Sequence, residues 1–184
     1  LTDWLQYADA RSLSRESAFY HVAQATPYNG ASASSQPVNW FWNVQLGPLE
    51  GVAGFKRLTG EARDAVAADV PFGNAGQALH LGYTDRFREI NFRLSRGRQA
   101  GWSHVIEYVA AVDANGTPTQ WKTLPKTNED STFGLLYSGR MTFDPPADWV
   151  ASVLPGSTAR LFSLRIRTTA GTAAQGPLAT SILG

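Results

Sequence analysis

Short segments of strict two-residue alternation recur through the second half of the chain, and no helical pattern separates them. In ARLFSLRIRTT, residues 159–169, the apolar residues Phe162, Leu164 and Ile166 occupy every second position. Such alternation predicts a strand with one apolar face and one polar face. A parallel α/β fold requires a helix between successive strands. The chain is therefore predicted to form an antiparallel sheet structure.

The same alternation predicts further strands, with turn residues between them. The predicted strands are ALHLGY, EINFRLS, SHVIEYVAAV, WKTL, GRMTF and TSILG, in chain order. The run from Asp113 to Gly116 is a strong turn signal after the third of these. Helical signals are confined to a turn capped by Thr2 or Asp3 and to LTGEARDAVAADV, from Leu58 to Val70. We expect an all-β antiparallel β-sandwich of jelly-roll type with one or two short helices.

Size and composition limit the functional classes. The chain of 184 residues fits one domain over residues 1–184. Its net charge of +1 gives no general attraction to nucleic acid or to anionic membranes. Without cysteine it has no disulfide or thiolate site, and no run of eighteen apolar residues predicts a membrane span. Because the chain begins with Leu1, we expect a module excised or processed from a larger polypeptide.

The segment VNWFWNVQ, residues 38–45, concentrates aromatic and amide side chains on one predicted strand. Its tryptophan face carries Val38, Trp40, Trp42 and Val44, and its amide face carries Asn39, Phe41, Asn43 and Gln45. Four apolar residues in step favour the tryptophan face as the core side, which would leave Phe41 on an outward platform among amides. The opposite orientation would expose Trp40 and Trp42 as a larger surface for stacking. Either face suits a sugar, because rings stack on its C–H groups while amides bond its hydroxyls.

Loops supply two further candidate binding rings, since binding groups often lie on the loops of a rigid sandwich. Trp102 follows Gly97 and Gly101 in a predicted strand connection and is the first candidate. Tyr28, beside Asn29, is the second. Trp121 and Trp149 are interpreted as structural residues, with Trp149 in PPADW closing one end of the sandwich.

The part of the chain from Ala78 to the end resembles a known class of module. The resemblance rests on IEYVAAVDANGTPTQWKTL, on SGRMTFDPPADW and on LFSLRIRTT. These segments are similar to discoidin- or galactose-binding-like β-sandwiches, which are accessory modules of bacterial surface, carbohydrate-active or phage tail proteins. The resemblance implies a non-catalytic adhesive or carbohydrate-binding role and identifies no contact residues.

No catalytic motif is present. The sequence lacks a nucleophile elbow, a phosphate-binding loop, a dinucleotide fingerprint and a zinc motif. His21, His80 and His104 lie far apart and are interpreted as structural residues with satisfied hydrogen bonds. Glu107 is the acid placed in mid-strand, and it has no evident partner for glycosidase chemistry. We therefore expect no enzyme activity and no cofactor.

Two polar clusters have a structural and a functional interpretation. TNEDS, residues 127–131, offers oxygen ligands of the kind that calcium takes, but a solvated loop is commoner and no metal is predicted. The arginines of DRFREINFRLSRGRQ could form a basic edge for phosphate or acidic polysaccharide. A structural use on an edge strand is the favoured interpretation.

The resulting hypothesis is a non-catalytic carbohydrate-binding module that targets a larger secreted bacterial protein to a glycan by aromatic stacking. Its expected partner is a polysaccharide or cell-surface glycan, without nucleic acid or membrane insertion, and its expected location is extracellular or at the cell surface. The alternative is a structural or adhesive subunit of a phage virion or extracellular filament. That alternative acts through protein–protein contacts, including self-association, and needs an apolar patch or an unpaired strand edge.

Overall fold

A computed structural model describes residues 40–51, 53–63, 68–125 and 127–184. The chain divides into two compact units, residues 1–40 and residues 41–184. All the helices and strands given below belong to the second unit. The single domain over residues 1–184 stays a prediction, because residues 1–39 lie outside the described residues.

Twelve strands and one helix make up the regular structure of the described part. The strands are β1 (Asn43–Pro48), β2 (Lys56–Arg57), β3 (Val70–Pro71), β4 (Gln77–Tyr83), β5 (Glu89–Arg96), β6 (Ser103–Val112), β7 (Pro118–Thr123), β8 (Glu129–Asp130), β9 (Gly139–Thr142), β10 (Ala151–Ser152), β11 (Leu161–Ala170) and β12 (Leu178–Leu183). The helix α1 spans Thr59–Arg63. The helix predicted from Leu58 to Val70 is wrong at its C-terminal end, because residues 68–69 are not helical and Val70 begins β3. The predicted helical turn at Thr2 or Asp3 lies outside the described residues.

The strands form two antiparallel sheets that pack together as a β-sandwich. The large sheet has the order β2-β1-β4-β11-β6-β7, with β10 also paired to β11. The small sheet has the order β3-β12-β5-β9-β8. The all-β antiparallel sandwich is thus confirmed, while the jelly-roll type stays a prediction.

The core lies between the sheets and follows the predicted alternation. On the large sheet, Val44, Leu81, Leu164 and Tyr108 are aligned across four strands and are buried. The small sheet contributes the buried residues Ile90, Phe92, Met141 and Ile182. Because side chains alternate between the two faces of a strand, the residues next to the core positions of the large sheet point away from the core.

Trp149 is a buried centre of the aromatic core, as its structural interpretation predicted. Its ring meets that of Phe87 edge-on with centroids 5.0 Å apart. Its indole Nε1–H donates to the carbonyl oxygen of Ser163 at 3.2 Å. A buried indole usually has such a partner, which lets the whole ring contribute its apolar area to stability.

The predicted strand over residues 38–45 differs from the structure, where β1 begins only at Asn43. Phe41 is 1% exposed and packs edge-on against Phe87 at 5.1 Å, so the outward Phe41 platform is wrong. Trp42 is 52% exposed, so its core placement is wrong. The chain bends at Trp42 before the strand begins, and the two-residue alternation therefore does not extend back through the aromatic residues.

Trp102 is buried rather than exposed on a loop, which corrects its selection as a loop binding ring. It is 2% exposed and stacks on the imidazole of His104 with centroids 5.1 Å apart. A Cβ at Gly171 or Gly176 would lie about 3 Å from Trp102, so these two glycines leave the space that the residue fills. The burial of Trp102 could not be predicted from its local sequence, because the two glycines that make room for it lie about seventy residues further along the chain.

A hydrogen-bonded turn at residues 131–138 presents two exposed rings, and we call it the aromatic turn. Phe133 and Leu135 have positive φ angles of 51° and 67°, which side-chain-bearing residues seldom adopt. The Asp130 carboxylate holds the turn by accepting the backbone N–H groups of Thr132 at 2.8 Å and Gly134 at 3.0 Å. Phe133 is 68% exposed and Tyr137 is 59% exposed, with their rings edge-on at 6.0 Å. The acidic residue considered as a calcium ligand therefore fixes a backbone turn.

Candidate functional site

The outer face of the large sheet carries a row of polar side chains in its centre. Gln45, His80, Arg165 and Glu107 are direct cross-strand partners on β1, β4, β11 and β6. They point away from the core, yet all four are buried. An outer sheet face is ordinarily solvated, and buried polar groups are costly unless they are bonded. The burial of these four polar side chains is therefore unusual for the outer face of a sheet.

A concavity of about 620 Å³ lies over this row, and we call it the sheet-face cavity. Its base contains His80, Arg165 and Glu107, and its sides contain Phe55 and Trp121. Arg167 also lines the base, where it is paired with Glu107. The other lining residues are Leu49, Glu50, Gly51, Thr117, Pro118, Thr119, Leu154 and Pro155. Its volume falls within the range of about 300 to 1,000 Å³ that is usual for small-ligand sites.

Two aromatic rings reach the cavity from opposite edges of the large sheet. Phe55 precedes β2 at one edge, and its ring centroid lies 5.6 Å from that of His80. Trp121 lies on β7 at the other edge, and its centroid is also 5.6 Å from that of His80. Gly47 permits the position of Phe55, because a Cβ at residue 47 would collide with the phenyl ring. The histidine thus lies between two flat apolar surfaces.

Glu107 is bonded by two arginines, which the sequence analysis did not predict. Arg165 Nε donates to Glu107 Oε2 at 2.6 Å, and Arg167 Nη2 donates to Oε1 at 2.9 Å. Burial alone would raise the pKa of Glu107, but the hydrogen bonds and charges of Arg167 and Arg165 outweigh it and lower that pKa. Glu107 is therefore a carboxylate at neutral pH and has no proton to donate as a general acid.

The guanidinium of Arg165 has donors that this ion pair does not use. Its central carbon lies 4.3 Å from the centroid of Trp121, a cation–π contact that fixes the plane of the group. Within the described residues only its Nε makes a hydrogen bond, to Glu107. Its two terminal nitrogens remain as N–H donors at the base of the cavity.

Among the described residues, His80 has no hydrogen-bond partner for either ring nitrogen, which corrects its interpretation as a satisfied structural residue. It is 3% exposed. Burial and the charge of Arg165 lower its pKa to about 3 against a small opposing effect of Glu107, so the ring is neutral. A neutral imidazole offers one donor and one acceptor. Because each unsatisfied buried group costs about 1–3 kcal/mol, the fold holds this ring in place at a cost in stability.

The described members of the sequence-predicted site do not line this cavity. Phe41 and Trp102 belong to the core, Trp42 is exposed elsewhere, and Trp40 is half-buried and outside the lining. Asn43 is buried beside the polar row, where its Nδ2 donates to Gln45 Oε1 at 3.3 Å. Two further members of that set, Asn39 and Tyr28, lie outside the described residues.

Sequence reasoning missed Trp121 as a site residue because it was assigned a structural role. It also missed His80 and Arg165, although a signal for them was present. Each is a polar residue in the middle of a strand, with an apolar residue directly before and after it in the chain. Both strands, β4 and β11, are central in the large sheet. A polar residue that has apolar chain neighbours on a central strand points to the second sheet face, where binding sites form.

The arginine-rich segment has mainly structural contacts, but its predicted place on an edge strand is wrong, because β5 is the middle strand of the small sheet. Arg86 donates to the carbonyl oxygen of Trp149 at 2.8 Å, and Arg98 donates to that of Gly134 at 2.8 Å. Arg96 donates to the carbonyl oxygen of Gly176 at 2.9 Å. These side chains fasten loops to the sandwich through backbone oxygens.

The described ranges contain no group of three or more metal-ligating side chains and no helix that is long and apolar enough to cross a membrane. No protein family model matches the sequence, and no curated protein matches it significantly. The resemblance to galactose-binding-like modules therefore rests on its sequence motifs alone.

Proposed function

We propose that this chain is a non-catalytic carbohydrate-binding module whose site is the sheet-face cavity. It would target a larger secreted bacterial protein to an extracellular or cell-surface glycan. The observation that carries the proposal is the cavity itself, which has buried polar side chains at its base and the rings of Phe55 and Trp121 at its sides.

The two rings support a sugar as the ligand. A pyranose ring has apolar C–H faces and a rim of hydroxyl groups. Trp121 and Phe55 offer apolar surfaces that suit those faces, and Arg165 offers polar atoms between them. A mostly apolar cavity with a few oriented polar groups is the general form of a small-ligand site.

The buried ion group also supports a binding role. A buried salt bridge is weak evidence for stability, since apolar residues of similar volume often stabilise a protein as well or better. Glu107 and Arg165 are both buried and paired at 2.6 Å. Their position at the base of a cavity suits recognition better than it suits stabilisation of a sandwich whose core lies on the other face.

The absence of catalysis belongs to the same proposal. Both oxygens of Glu107 accept hydrogen bonds from arginines, so the carboxylate serves neither as a general acid nor as an available nucleophile. Glycosidases need a pair of carboxyl groups placed across the bond that they cleave. The base of the cavity supplies one carboxylate and two guanidinium groups.

Replacement of Trp121 by alanine is expected to weaken glycan binding by about tenfold or more, because the larger stacking surface is lost. Isothermal calorimetry against polysaccharides that bind on a glycan array measures the change. Trp121→Phe keeps an aromatic surface and should lose less. Trp42→Ala is the matched control, since Trp42 is an exposed tryptophan outside the cavity lining and its loss should leave affinity unchanged.

Equal affinities of the Trp121→Ala variant and the parent chain for the same glycan would place binding elsewhere and contradict the proposal. So would a parent chain that binds no plant, fungal or bacterial polysaccharide. Thermal unfolding of each variant, followed by circular dichroism, checks that the loss of affinity does not come from a loss of folding.

The aromatic turn favours a second candidate function, the structural or adhesive subunit. Phe133, Leu136 and Tyr137 are exposed apolar residues on one turn whose backbone is held in an uncommon conformation. Backbone strain persists only where the surrounding structure enforces it, and it concentrates at functional positions. Sedimentation of the parent chain and of a Phe133→Ser/Tyr137→Ser variant tests this function: assemblies that form in the parent alone would favour it over glycan binding.

A further inference from the structure

The unused hydrogen-bonding capacity at the base of the sheet-face cavity is rich in donors. Both oxygens of Glu107 are already bonded to arginines. In the described part of the chain, neither terminal nitrogen of Arg165 is bonded to any other group. Both ring nitrogens of His80 are buried, so the exposed polar atoms at the base come mainly from the arginines. A ligand that satisfies this set must bring more acceptors than donors to Arg165.

The charges at the base also sum to a positive value. Arg165 and Arg167 each carry one positive charge and Glu107 carries one negative charge, which leaves one positive charge uncompensated. Glu50 also lines the cavity, but it is exposed and its charge is screened by solvent. His80 contributes no charge because it is neutral. One anionic group on a ligand would therefore neutralise the charge at the base of the cavity.

From this geometry we infer that the cavity binds a sugar unit that carries a carboxylate, as in a polymer of uronic acids. The inference rests on the proposed glycan-binding function. The planar guanidinium of Arg165 presents two parallel N–H donors to the two oxygens of a carboxylate. Trp121 holds the guanidinium plane, while Phe55 and Trp121 bound the space for the sugar ring.

The test compares one polysaccharide in two chemical forms. Polygalacturonate, and the same preparation after its carboxyl groups are reduced to primary alcohols, are titrated into the parent chain in a calorimeter. We expect the uronate to bind at least tenfold more tightly than its reduced form. Raising the salt concentration should weaken binding of the uronate and leave binding of the reduced polymer nearly unchanged.

Arg165→Gln removes the guanidinium and leaves Glu107 paired with Arg167. This variant should lose at least tenfold in affinity for the uronate and less than threefold for the reduced polymer. Arg93→Gln is the control, because Arg93 is an exposed arginine on β5 of the small sheet and its loss changes the net charge equally. If Arg165→Gln proves unfolded, the two polymer forms and the salt series with the parent chain still decide the question.

Equal binding of the uronate and its reduced form would overturn the carboxylate inference and leave the glycan-binding proposal intact. Stronger binding of a sulfated neutral polysaccharide than of the uronate would also overturn it. Absence of binding by every polysaccharide would contradict the proposed function itself.

Discussion

Replacement of Glu107 by leucine is expected to lower the free energy of unfolding by about 3–5 kcal/mol, because it leaves a buried guanidinium without its counter-charge. The Arg165 side chain is 10% exposed and lies 2.6 Å from the Glu107 carboxylate. Arg167 is more exposed and can turn towards solvent. Urea unfolding at neutral pH, with equal slopes for the two proteins, measures the loss.

The double variant Glu107→Leu/Arg165→Leu is the control for this prediction. It removes both buried charges, so it should recover most of the lost stability, while affinity for an acidic glycan should fall at least tenfold. Such a recovery would show that stability requires a buried charge to be paired and does not require the pair to be present. A loss below 1 kcal/mol in Glu107→Leu, or simple additivity of the two changes, would contradict the buried-pair account.

Acidification is expected to destabilise the protein through His80. Burial and the charge of Arg165 lower the pKa of His80 from 6.5 to about 3. Between these values the unfolded chain binds a proton at this residue and the native protein does not. The contribution of His80 to stability is therefore complete above about pH 6.5, falls as the pH decreases towards 3, and amounts to about 3 kcal/mol of lost unfolding free energy by pH 4.

Thermal or urea unfolding from pH 7 to pH 4 measures this dependence, and His80→Gln isolates the contribution of His80. The variant keeps a polar side chain that does not titrate, so its stability should fall less steeply with decreasing pH than that of the parent chain. The remaining slope comes from groups that both proteins share, including His104, whose pKa burial lowers to about 4. Parallel pH profiles for the two proteins would show that His80 titrates normally in the native state.

The fold was largely predictable because alternation is a local property of the sequence. Phe162, Leu164 and Ile166 all face the core side of β11, as the pattern in ARLFSLRIRTT indicated. The aromatic segment before β1 was misjudged for a physical reason. A bend at Trp42 breaks the alternation, and the burial of Phe41 depends on its contact with Phe87, forty-six positions along the chain.

The candidate site was not predictable in the same way, because it depends on which strands become neighbours. His80, Arg165 and Glu107 lie on three strands whose order in the sheet differs from their order in the chain. Phe55 and Trp121 come from opposite edges of that sheet. Trp102 was predicted as a binding residue because it lies in a predicted loop, and loops often carry function. Its burial depends instead on packing against Gly171 and Gly176, which lie far along the chain.

The central claim is that a sugar contacts the base of the sheet-face cavity, and the side-chain nitrogen NMR signals of His80 test it most directly. A ¹⁵N-labelled chain is titrated with the oligosaccharide that binds most tightly in calorimetry. The account predicts that the His80 ring signals shift as the ligand covers the base of the cavity, while the His104 signals stay in place against Trp102. Saturated binding with unchanged His80 signals would contradict it.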